Sequence, residues 1–531
     1  MKIIILDNIR VPVEKGFGRE LDNSIVSVAR QRLGSADFEY MGISHKSIDA
    51  RHKNKINYVI SARFKIEDSF ITDEIKGCKL RVVREQEQIP TGDIKLKNPP
   101  VIAGSGPSGL FCAYLLALHG FEPIVLERGD NIDVRKTKVK KLWSQGELDP
   151  ESNVQFGEGG AGTFSDGKLV TRINDPRCEF VIDVFLKHRA PSEIAFEAKP
   201  HIGTDVLAPM IKSIREEIIR LGGKFIFNAK LTDIDMGSKL KSVRVNNEYD
   251  IETDLLVLAI GHSARDTYEM LHKRGVLLEQ KPFSAGVRIE HLQYDVNLAQ
   301  WGNMTGKIKS SAEYSMHTRI NNRAAYTFCM CPGGVVVNAS SEEGGLTVNG
   351  MSFNARNGRN ANSAWVTEVW PDDLGSKHPL AGIAFQREIE KKSFSAGGGN
   401  YSAPVQKLGD FINGEITGKF GGVRPSYTGD TKFADLNTIL PDFISETLKS
   451  SLKVFGRKLE FFRDPYALLT GCETRTSSPI RIKRTPEHES VTHKGIYPAG
   501  EGAGYAGGIM SAAVDGMKVA ESIIKLYNYS I

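Results

Sequence analysis

Long apolar runs are missing from this sequence of 531 residues. The longest, LFCAYLLAL at 110–118, is far shorter than the roughly 18–20 residues that cross a bilayer. The opening stretch, MKIIILDNIRVP, becomes charged too early for a secretory signal. These absences predict a cytoplasmic protein with no membrane partner.

Cysteine is scarce as well, with six residues, which is too few for a disulfide framework in a chain of this length. A net charge of +5 is small and does not by itself indicate a polyanionic partner. Hydrophobic residues make up 40% and charged residues 25%, which is typical of globular proteins. At about 150 residues per domain, the length predicts three or four domain-sized units.

Residues 1–95 predict a small α+β domain. KIIIL and NYVISARFKI are typical of strands, and NSIVSVARQRL is typical of an amphipathic helix. The segment 45–55, HKSIDARHKNK, is basic, and both a solvated hairpin tip and a phosphate or nucleic-acid contact are open for it. A polar linker at 82–100 follows, and it ends in two prolines.

From residue 99 the pattern changes to strand, glycine-rich turn, helix and second strand, which predicts a βαβ unit. Residues 101–129 read VIAGSGPSGLFCAYLLALHGFEPIVLERG, in which Gly104, Gly106 and Gly109 form G-x-G-x-x-G. Glycines at this spacing allow a tight turn, a close approach to a pyrophosphate and close packing of helix on strand. A turn without a ligand is the alternative.

Other residues of this unit are predicted to touch the same dinucleotide. Pro107 and Ser108 open the helix, whose free N–H groups favour phosphate. Glu127, followed by Arg128, ends the second strand, where a carboxylate can accept hydrogen bonds from ribose hydroxyls. The loop FGEGGAGTFSDGKL at 156–169 contains Gly160 and Gly162 and favours a wrap around the ligand, with a flexible surface loop as the alternative.

Residues 495–520, GIYPAGEGAGYAGGIMSAAVDGMKVA, resemble the FAD-binding flavoproteins of the glutathione reductase type. The resemblance implies that Gly500 and Glu501 bind the ribityl chain, with Glu501 standing where that family usually has Asp. It also implies that a helix beginning at Gly508 and Ile509 faces the flavin pyrimidine.

Two more stretches resemble that family in the expected order. DLLVLAIGHSARD at 254–266 runs into Gly261, like the family's middle motif. GGKFIFNAKLTDID at 222–235 resembles the strand pair whose backbone contacts adenine, near Lys230 and Leu231.

A closer resemblance covers most of the chain. FCMCPGGVVVNAS, VNGMSFNARNGRNANSAWV, GCETRTSSPIRI and the long N-terminal extension are similar to the bacterial family of uncharacterised FAD-dependent dehydrogenases, which are called NAD(FAD)-utilising by analogy. This resemblance implies bound FAD and a Rossmann-type fold, but it implies no particular substrate.

A second dinucleotide fingerprint and a C-x-x-C or C-x4-C pair are both missing. A nicotinamide cofactor, NAD(P)H, would therefore bind only transiently, and the substrate or a protein partner is the alternative electron source. Arg288, Glu473 and Arg475 are candidates for holding an anionic group near the flavin, with structural ion pairs as the alternative.

The last candidates are Cys329 and Cys331 in FCMCPGGVVVN. In an unbroken strand both side chains share one face, with Cα atoms about 6.6 Å apart, near the limit for a disulfide. We expect this strand end to form a wall of the substrate cavity, with both thiols reduced. Core packing, a redox pair and a metal site are the alternatives, although two sulfurs alone cannot complete a zinc site, and we predict no metal.

The predicted fold is α/β: a Rossmann-type FAD-binding domain at 96–265 and 490–531, an inserted α+β substrate or cap domain at 266–489, and the N-terminal domain at 1–95. The predicted function is an FAD-dependent oxidoreductase, a dehydrogenase with noncovalent FAD and a small-molecule substrate. The alternatives are a flavoprotein that acts on RNA through its basic N-terminal domain, and a flavin-bound scaffold or sensor without turnover.

Overall fold

The computed structural model describes residues 1–34, 36–70, 75–80 and 89–529. Residues 82–88 of the predicted linker at 82–100 lie outside the described residues. Within the described part of the chain, no helix is both long and apolar enough to span a membrane.

The N-terminal unit is a four-stranded antiparallel sheet, in the order β2-β3-β1-β4, with one helix packed on it. The helix buries Leu21, Ile25 and Ala29, which recur every four residues and so form one apolar face. The elements of this unit are β1 (Lys2–Pro12), α1 (Gly18–Leu33), β2 (Phe38–Asp49), β3 (Asn57–Ile66) and β4 (Cys78–Leu80). The short strand β5 (Ile94–Lys95) follows outside this sheet.

The next part of the chain contains most of a Rossmann-type unit. Its elements are β6 (Val101–Ala103), α2 (Pro107–Leu118), β7 (Ile124–Leu126), α3 (Ile132–Gln145), α4 (Arg177–Lys187), α5 (Thr204–Arg220), β8 (Lys224–Ile226), β9 (Leu231–Met236), β10 (Leu240–Val245), β11 (Tyr249–Glu252), β12 (Leu256–Leu258) and α6 (Arg265–Lys273).

The middle of the chain builds a second, larger sheet. Its elements are β13 (Leu278–Gln280), β14 (Phe283–Leu292), α7 (Gln293–Trp301), β15 (His317–Ile320), β16 (Arg323–Cys331), β17 (Val335–Asn338), β18 (Val348–Met351), β19 (Asn360–Val369), α8 (Ala381–Gly397), β20 (Ala403–Lys407), α9 (Leu408–Asn413), β21 (Thr431–Phe433), α10 (Asp442–Lys458), β22 (Leu468–Glu473) and β23 (Ile480–Ile482). The chain then returns to the first sheet with β24 (Ile496–Pro498), α11 (Ile509–Leu526) and β25 (Tyr527–Asn528).

Five short parallel strands form the Rossmann-type sheet, in the order β24-β12-β6-β7-β8. Each of β6, β12 and β24 is fully buried, as expected for a parallel sheet that is covered on both faces. Helix α2 is apolar on every side because it lies under α11 as well as on the sheet. A separate antiparallel sheet, β11-β10-β9, lies beside this layer.

Seven strands form the middle sheet, in the order β15-β16-β19-β14-β22-β20-β21, antiparallel except for the last pair. Its strands lie between residues 283 and 473. Helix α6, which the predicted boundary at 266 assigned to the insert, shares an apolar core with β6 and β12 of the first sheet and with β9 of the separate antiparallel sheet. The apolar core of the N-terminal unit is continuous with that of the seven-stranded sheet.

Candidate functional site

The glycine-rich turn after β6 leaves open space at one position. Gly104 has φ 105°, and Gly109 packs so closely that a Cβ there would lie 1.9 Å from the carbonyl oxygen of Gly104. A Cβ on Gly106 would meet only the Cα of Gly160, at 3.8 Å. The open position lies at the N-terminus of α2, where free N–H groups favour an anion.

The N-terminus of α11 is open in the same way. At Gly507 and Gly508 a Cβ would have no neighbouring atom within 4 Å. The two helices also touch, since a Cβ on Gly516 of α11 would lie 2.0 Å from the carbonyl oxygen of Ser108 in α2. The Oγ of Ser108 is buried and has no hydrogen-bond partner among the described residues. Helix α2 follows β6 and α11 follows β24, so both helices begin at the carboxyl edge of the parallel sheet. Ligands bind at this edge in such sheets.

The glycine-rich loop at 156–169 lies across both helix starts. A Cβ on Gly160 would be 3.0 Å from the Cα of Gly106, and a Cβ on Gly162 would be 3.3 Å from the Ile509 side chain. Four of the predicted residues, from three separate segments, are thus neighbours. We call the two helix starts and this loop the cradle.

A fully buried arginine on α3 holds the loop in place. Arg135 donates to the carbonyl oxygens of Asn153 and Val154 at 2.9 Å and of Glu158 at 2.6 Å, and to Thr163 Oγ1 at 3.3 Å. Burial lowers the pKa of Arg135 to about 10, so the guanidinium stays charged at neutral pH. Its position was open to prediction, because Ile132, Arg135, Val139 and Leu142 recur at helical spacing and fall on the buried face of α3.

Glu127 lies at the predicted place, but its carboxylate already has four donors. One oxygen accepts from Ser105 N at 3.1 Å and Ser105 Oγ at 2.6 Å. The other accepts from Gly129 N and Gly157 N, both at 3.0 Å. A ribose hydroxyl would have to displace one of these donors, since a carboxylate has about four acceptor positions. Glu127 connects the turn at 104–109 to the loop of the cradle.

The predicted basic residues Arg128 and Lys230 lie together at the rim. Both form ion pairs with Glu151, at 2.7 Å and 2.5 Å, and with Asp266, at 2.9 Å and 3.4 Å. Arg128 also lies 4.0 Å above the ring centre of Phe156. The neighbouring Leu231 is buried at the start of β9. These contacts fix the edge of the cradle without placing a side chain inside it.

Tyr268 and Asp515 position the two predicted strand ends. The Tyr268 hydroxyl donates to the carbonyl oxygen of Gly502 at 2.6 Å and lies 3.1 Å from that of Gly261. Asp515 of α11 accepts from the N–H of Gly500 at 2.7 Å. The sequence did not indicate either residue, because each acts through backbone groups of other elements.

Arg288 lies on the seven-stranded sheet and is completely buried. It donates to Glu473 at 2.6 Å, to Asn362 Oδ1 at 2.8 Å and to the carbonyl oxygen of Cys329 at 2.5 Å. Room for the guanidinium comes from Gly350, where a Cβ would lie 2.2 Å from Arg288 Nη2. Arg288 and Glu473 thus form an ion pair with each other, which was the structural alternative.

Arg475 also lies in a buried ionic cluster. It pairs with Glu390 of α8 at 2.8 Å, and Glu390 pairs as well with Arg265 of α6, at 2.8 Å. The carboxylate of Glu390 and the guanidinium of Arg265 are each 1% exposed. Although burial opposes ionisation, the two guanidinium groups hold the pKa of Glu390 far below its usual range. This cluster links the Rossmann-type unit to the seven-stranded sheet.

The two cysteines lie at an irregularity in β16. Pairing with β19 changes register between Phe328 and Cys331, and Cys329 has φ 44°. The expectation of unbroken alternation through Cys331 is wrong here, because a bulge adds a residue to one strand only. Cys331 Sγ nevertheless lies 3.3 Å from the carbonyl oxygen of Cys329, to which it donates. Both are free thiols.

Two carboxyl groups near these thiols titrate close to neutrality. Burial raises the pKa of Glu473 to about 7 despite the attraction of Arg288. Burial also raises the pKa of Glu501, at the end of β24, to about 7, with Lys281 opposing the rise. A negative charge on Cys329 raises both values further, so the thiol and both carboxyl groups share one electrostatic environment.

Two family models match this chain. Residues 282–476 match the family described as FAD-dependent protein, C-terminal domain-like, and residues 102–140 match the NAD(P)-binding Rossmann-like domain. An uncharacterised protein of Clostridium beijerinckii is 48% identical over 503 residues, which is 93% of this chain and 94% of that protein.

Solved structures are more distant. The structure of CtdE in complex with FAD and substrate 4 is 13% identical, covers 80% of both chains and has a TM-score of 0.34. The flavin-dependent brominase Bmp2 is 12% identical, with 80% of this chain and 78% of that chain covered and a TM-score of 0.37. These likenesses are too weak to support an argument about this chain.

Proposed function

This chain belongs to the same family as the Clostridium beijerinckii protein, an FAD-dependent family by its C-terminal domain, and on that basis we propose that it is an FAD-dependent oxidoreductase. The proposal is of a dehydrogenase with noncovalent FAD and a small-molecule substrate. The observation that carries it is the cradle, in which Gly106 and Gly508 leave two helix starts open beside one loop. Placement with the flavoproteins of the glutathione reductase type is part of the same proposal.

The residues of the cradle fit FAD. The N–H groups at the start of α2 and the buried Ser108 Oγ, which has no partner among the described residues, would hold phosphate oxygens. Gly508 and Ile509, at the start of α11, would hold the flavin end. Glu127 would act by fixing Ser105 and Gly157 against each other.

Bound FAD would supply two-electron redox chemistry. The chain itself would exclude water with the seven-stranded sheet and would hold protons on two carboxyl groups. Because their pKa values are about 7, Glu473 and Glu501 can each accept or release a proton at neutral pH. Arg288 would keep Glu473 in place through their buried pair.

The sequence shows one complete fingerprint, so we propose that NAD(P)H, if it reduces the flavin, binds transiently. The RNA alternative gains no support from the N-terminal unit. There Lys46, within β2, pairs with Glu197 at 2.9 Å. Arg51, at the tip between β2 and β3, pairs with Asp49 at 2.6 Å. No observation favours a scaffold without turnover.

The test compares two glycine variants. A valine at position 106 would fill the open space of the cradle, whereas Gly422→Val adds the same side chain at another open position outside it. We expect wild type and Gly422→Val to release about one FAD per chain on acid precipitation, and Gly106→Val to release little. Anaerobic mixing with NADH and with NADPH then identifies the donor. Release of another flavin, or full FAD occupancy in Gly106→Val, would contradict the proposal.

A further inference from the structure

Cys329 and Cys331 differ in exposure although Cys331 Sγ donates to the carbonyl oxygen of Cys329 at 3.3 Å. Cys331 is completely buried, while Cys329 is partly exposed. Cys329 is therefore the more accessible residue of the two. A negative charge on the Cys329 thiol raises the pKa of Glu473 in the sheet and of Glu501 beside the cradle.

Positive charge surrounds the pair from separate elements. Arg288 of β14 donates to the carbonyl oxygen of Cys329 and lies 3.6 Å from Cys331 Sγ. Lys168, from the loop of the cradle, is attracted to Cys331 and pairs with Asp166 at 2.7 Å. Charged groups whose fields reach the thiols are Arg288, Lys168, Asp166, Arg356, Glu473 and Glu501.

The neighbouring Cys331 thiol, together with Arg288 and Lys168, lowers the pKa of Cys329 against the effect of burial. The same pairing and burial raise the pKa of Cys331. Burial, reinforced by the carboxylates of Asp515 and Glu390, raises the pKa of Cys112 and Cys472, so those thiols are inert by comparison. One partly exposed thiolate beside one buried thiol is the asymmetry that thiol–disulfide exchange requires.

We propose that Cys329 and Cys331 form a redox-active dithiol that reacts with disulfide-containing molecules, with Cys329 as the attacking thiolate and Cys331 as the resolving thiol. The Cys329 thiolate bonds to one sulfur of the disulfide, whose other sulfur leaves as a thiolate. Cys331 loses its proton, for which Glu473 is the nearby acceptor, and bonds to Cys329 Sγ, which releases the second thiolate. The dithiol loses two electrons and the disulfide gains them.

The backbone at the bulge favours this closure. A regular strand would hold the two Cα atoms about 6.6 Å apart, near the upper limit for a disulfide. The left-handed conformation of Cys329 breaks the extended geometry and turns the chain so that Cys331 Sγ reaches the carbonyl oxygen of Cys329. The proposal rests on the proposed function only for the flavin that the dithiol would face.

The test uses 4,4′-dithiodipyridine at neutral pH with the full-length, flavin-containing protein. Cys78 and Cys178 are also partly exposed, so all variants carry Cys78→Ser and Cys178→Ser. We expect that background protein to release two thiopyridones per chain rapidly and to retain no thiopyridyl group by intact mass. Cys331→Ser should release one and retain one, and Cys329→Ser should lose the rapid phase.

The pH dependence of the rapid phase gives a second readout. Its rate should reach half-maximum well below the ordinary thiol pKa of about 8.5. A rapid phase that survives Cys329→Ser, two retained thiopyridyl groups, or a half-maximum at or above 8.5 would overturn the proposal. Acid-released FAD is measured on the same samples. A protein that forms the disulfide but binds no FAD would refute the proposed function and leave the dithiol standing.

Discussion

Replacing Glu390 of α8 with glutamine should lower the free energy of unfolding far more than replacing Glu388 of the same helix with glutamine. Glu390 accepts from Arg265 at 2.8 and 2.9 Å, from Arg475 at 2.8 and 2.9 Å, and from Thr474 at 2.7 Å. Glutamine keeps one oxygen but turns an NH₂ group toward the guanidinium donors. Arg475 would then lose the carboxylate that it pairs with, and Arg265 would keep only its ion pair with Glu342 among the described residues.

Breaking a buried pair by removing one partner costs about 3–5 kcal/mol. The matched control is Glu388→Gln on the same helix, because Glu388 is 66% exposed and its one ion pair among the described residues is with Lys392, four residues on. An exposed pair of that kind contributes about 0.3–0.5 kcal/mol. We therefore expect roughly a tenfold difference between the two losses.

The assay is urea unfolding at pH 7 with excess FAD, followed by fluorescence and far-UV circular dichroism. Glu390→Gln should move the midpoint strongly to lower urea, and Glu388→Gln should leave it almost unchanged. Equal midpoints for the two variants, with unchanged slopes, would refute the view that this cluster stabilises the fold.

The pH dependence has a definite sign. The folded-state pKa of Glu390 is lowered, so its stabilising effect is fully present above the unfolded value of about 4.3. The effect is lost as the pH falls below that value toward the folded pKa. The difference in midpoint between wild type and Glu390→Gln should therefore be constant from pH 6 to 8 and shrink below about pH 4.

Three further outcomes are expected. Arg135→Met should cost about 2–4 kcal/mol in urea unfolding and weaken FAD retention, because at least two buried carbonyls of the loop lose their donor; unchanged retention on gel filtration would show that the loop does not need this arginine. Tyr268→Phe should cost about 1–2 kcal/mol by removing the hydrogen bond to Gly502, and a midpoint equal to that of wild type would count against that contact. For Glu501 the folded pKa of about 7 lies above the unfolded value, so its ionisation lowers stability as the pH rises from about 4.3 to 7, and Glu501→Gln should reduce that fall; an identical pH profile for both proteins would exclude the effect.

Local spacing was enough to predict the turn after β6 and the helix after it. Gly109 is required by a contact with the carbonyl oxygen of Gly104, five residues earlier, and the strand and helix on either side are strongly apolar. The order of the later motifs then predicted that β12 and β24 would join the same sheet. In the structure β12 pairs in parallel with β6, and β24 pairs in parallel with β12.

Features that depend on a distant partner could not be predicted. The bulge at Cys329 exists only in the pairing of β16 with β19, so an isolated strand pattern predicts alternation instead. The carboxylate of Glu127 has the expected position, but its donors Ser105 and Gly157 come from two loops whose meeting the spacing does not encode. The pairing of Arg475 with Glu390 likewise joins residues 85 positions apart.

The split of the parallel sheet has a consequence for how the protein is made. Helix α2 ends at Leu118, whereas α11, which packs on it and supplies the second side of the cradle, begins at Ile509. Roughly 390 residues separate them, which a ribosome takes about 20–80 s to add at 5–20 residues per second. During that time α2, apolar on every side, lacks its cover. Cofactor loading must therefore wait until α11 has emerged, and a nascent chain arrested before residue 496 should leave α2 exposed to chaperones instead of to FAD.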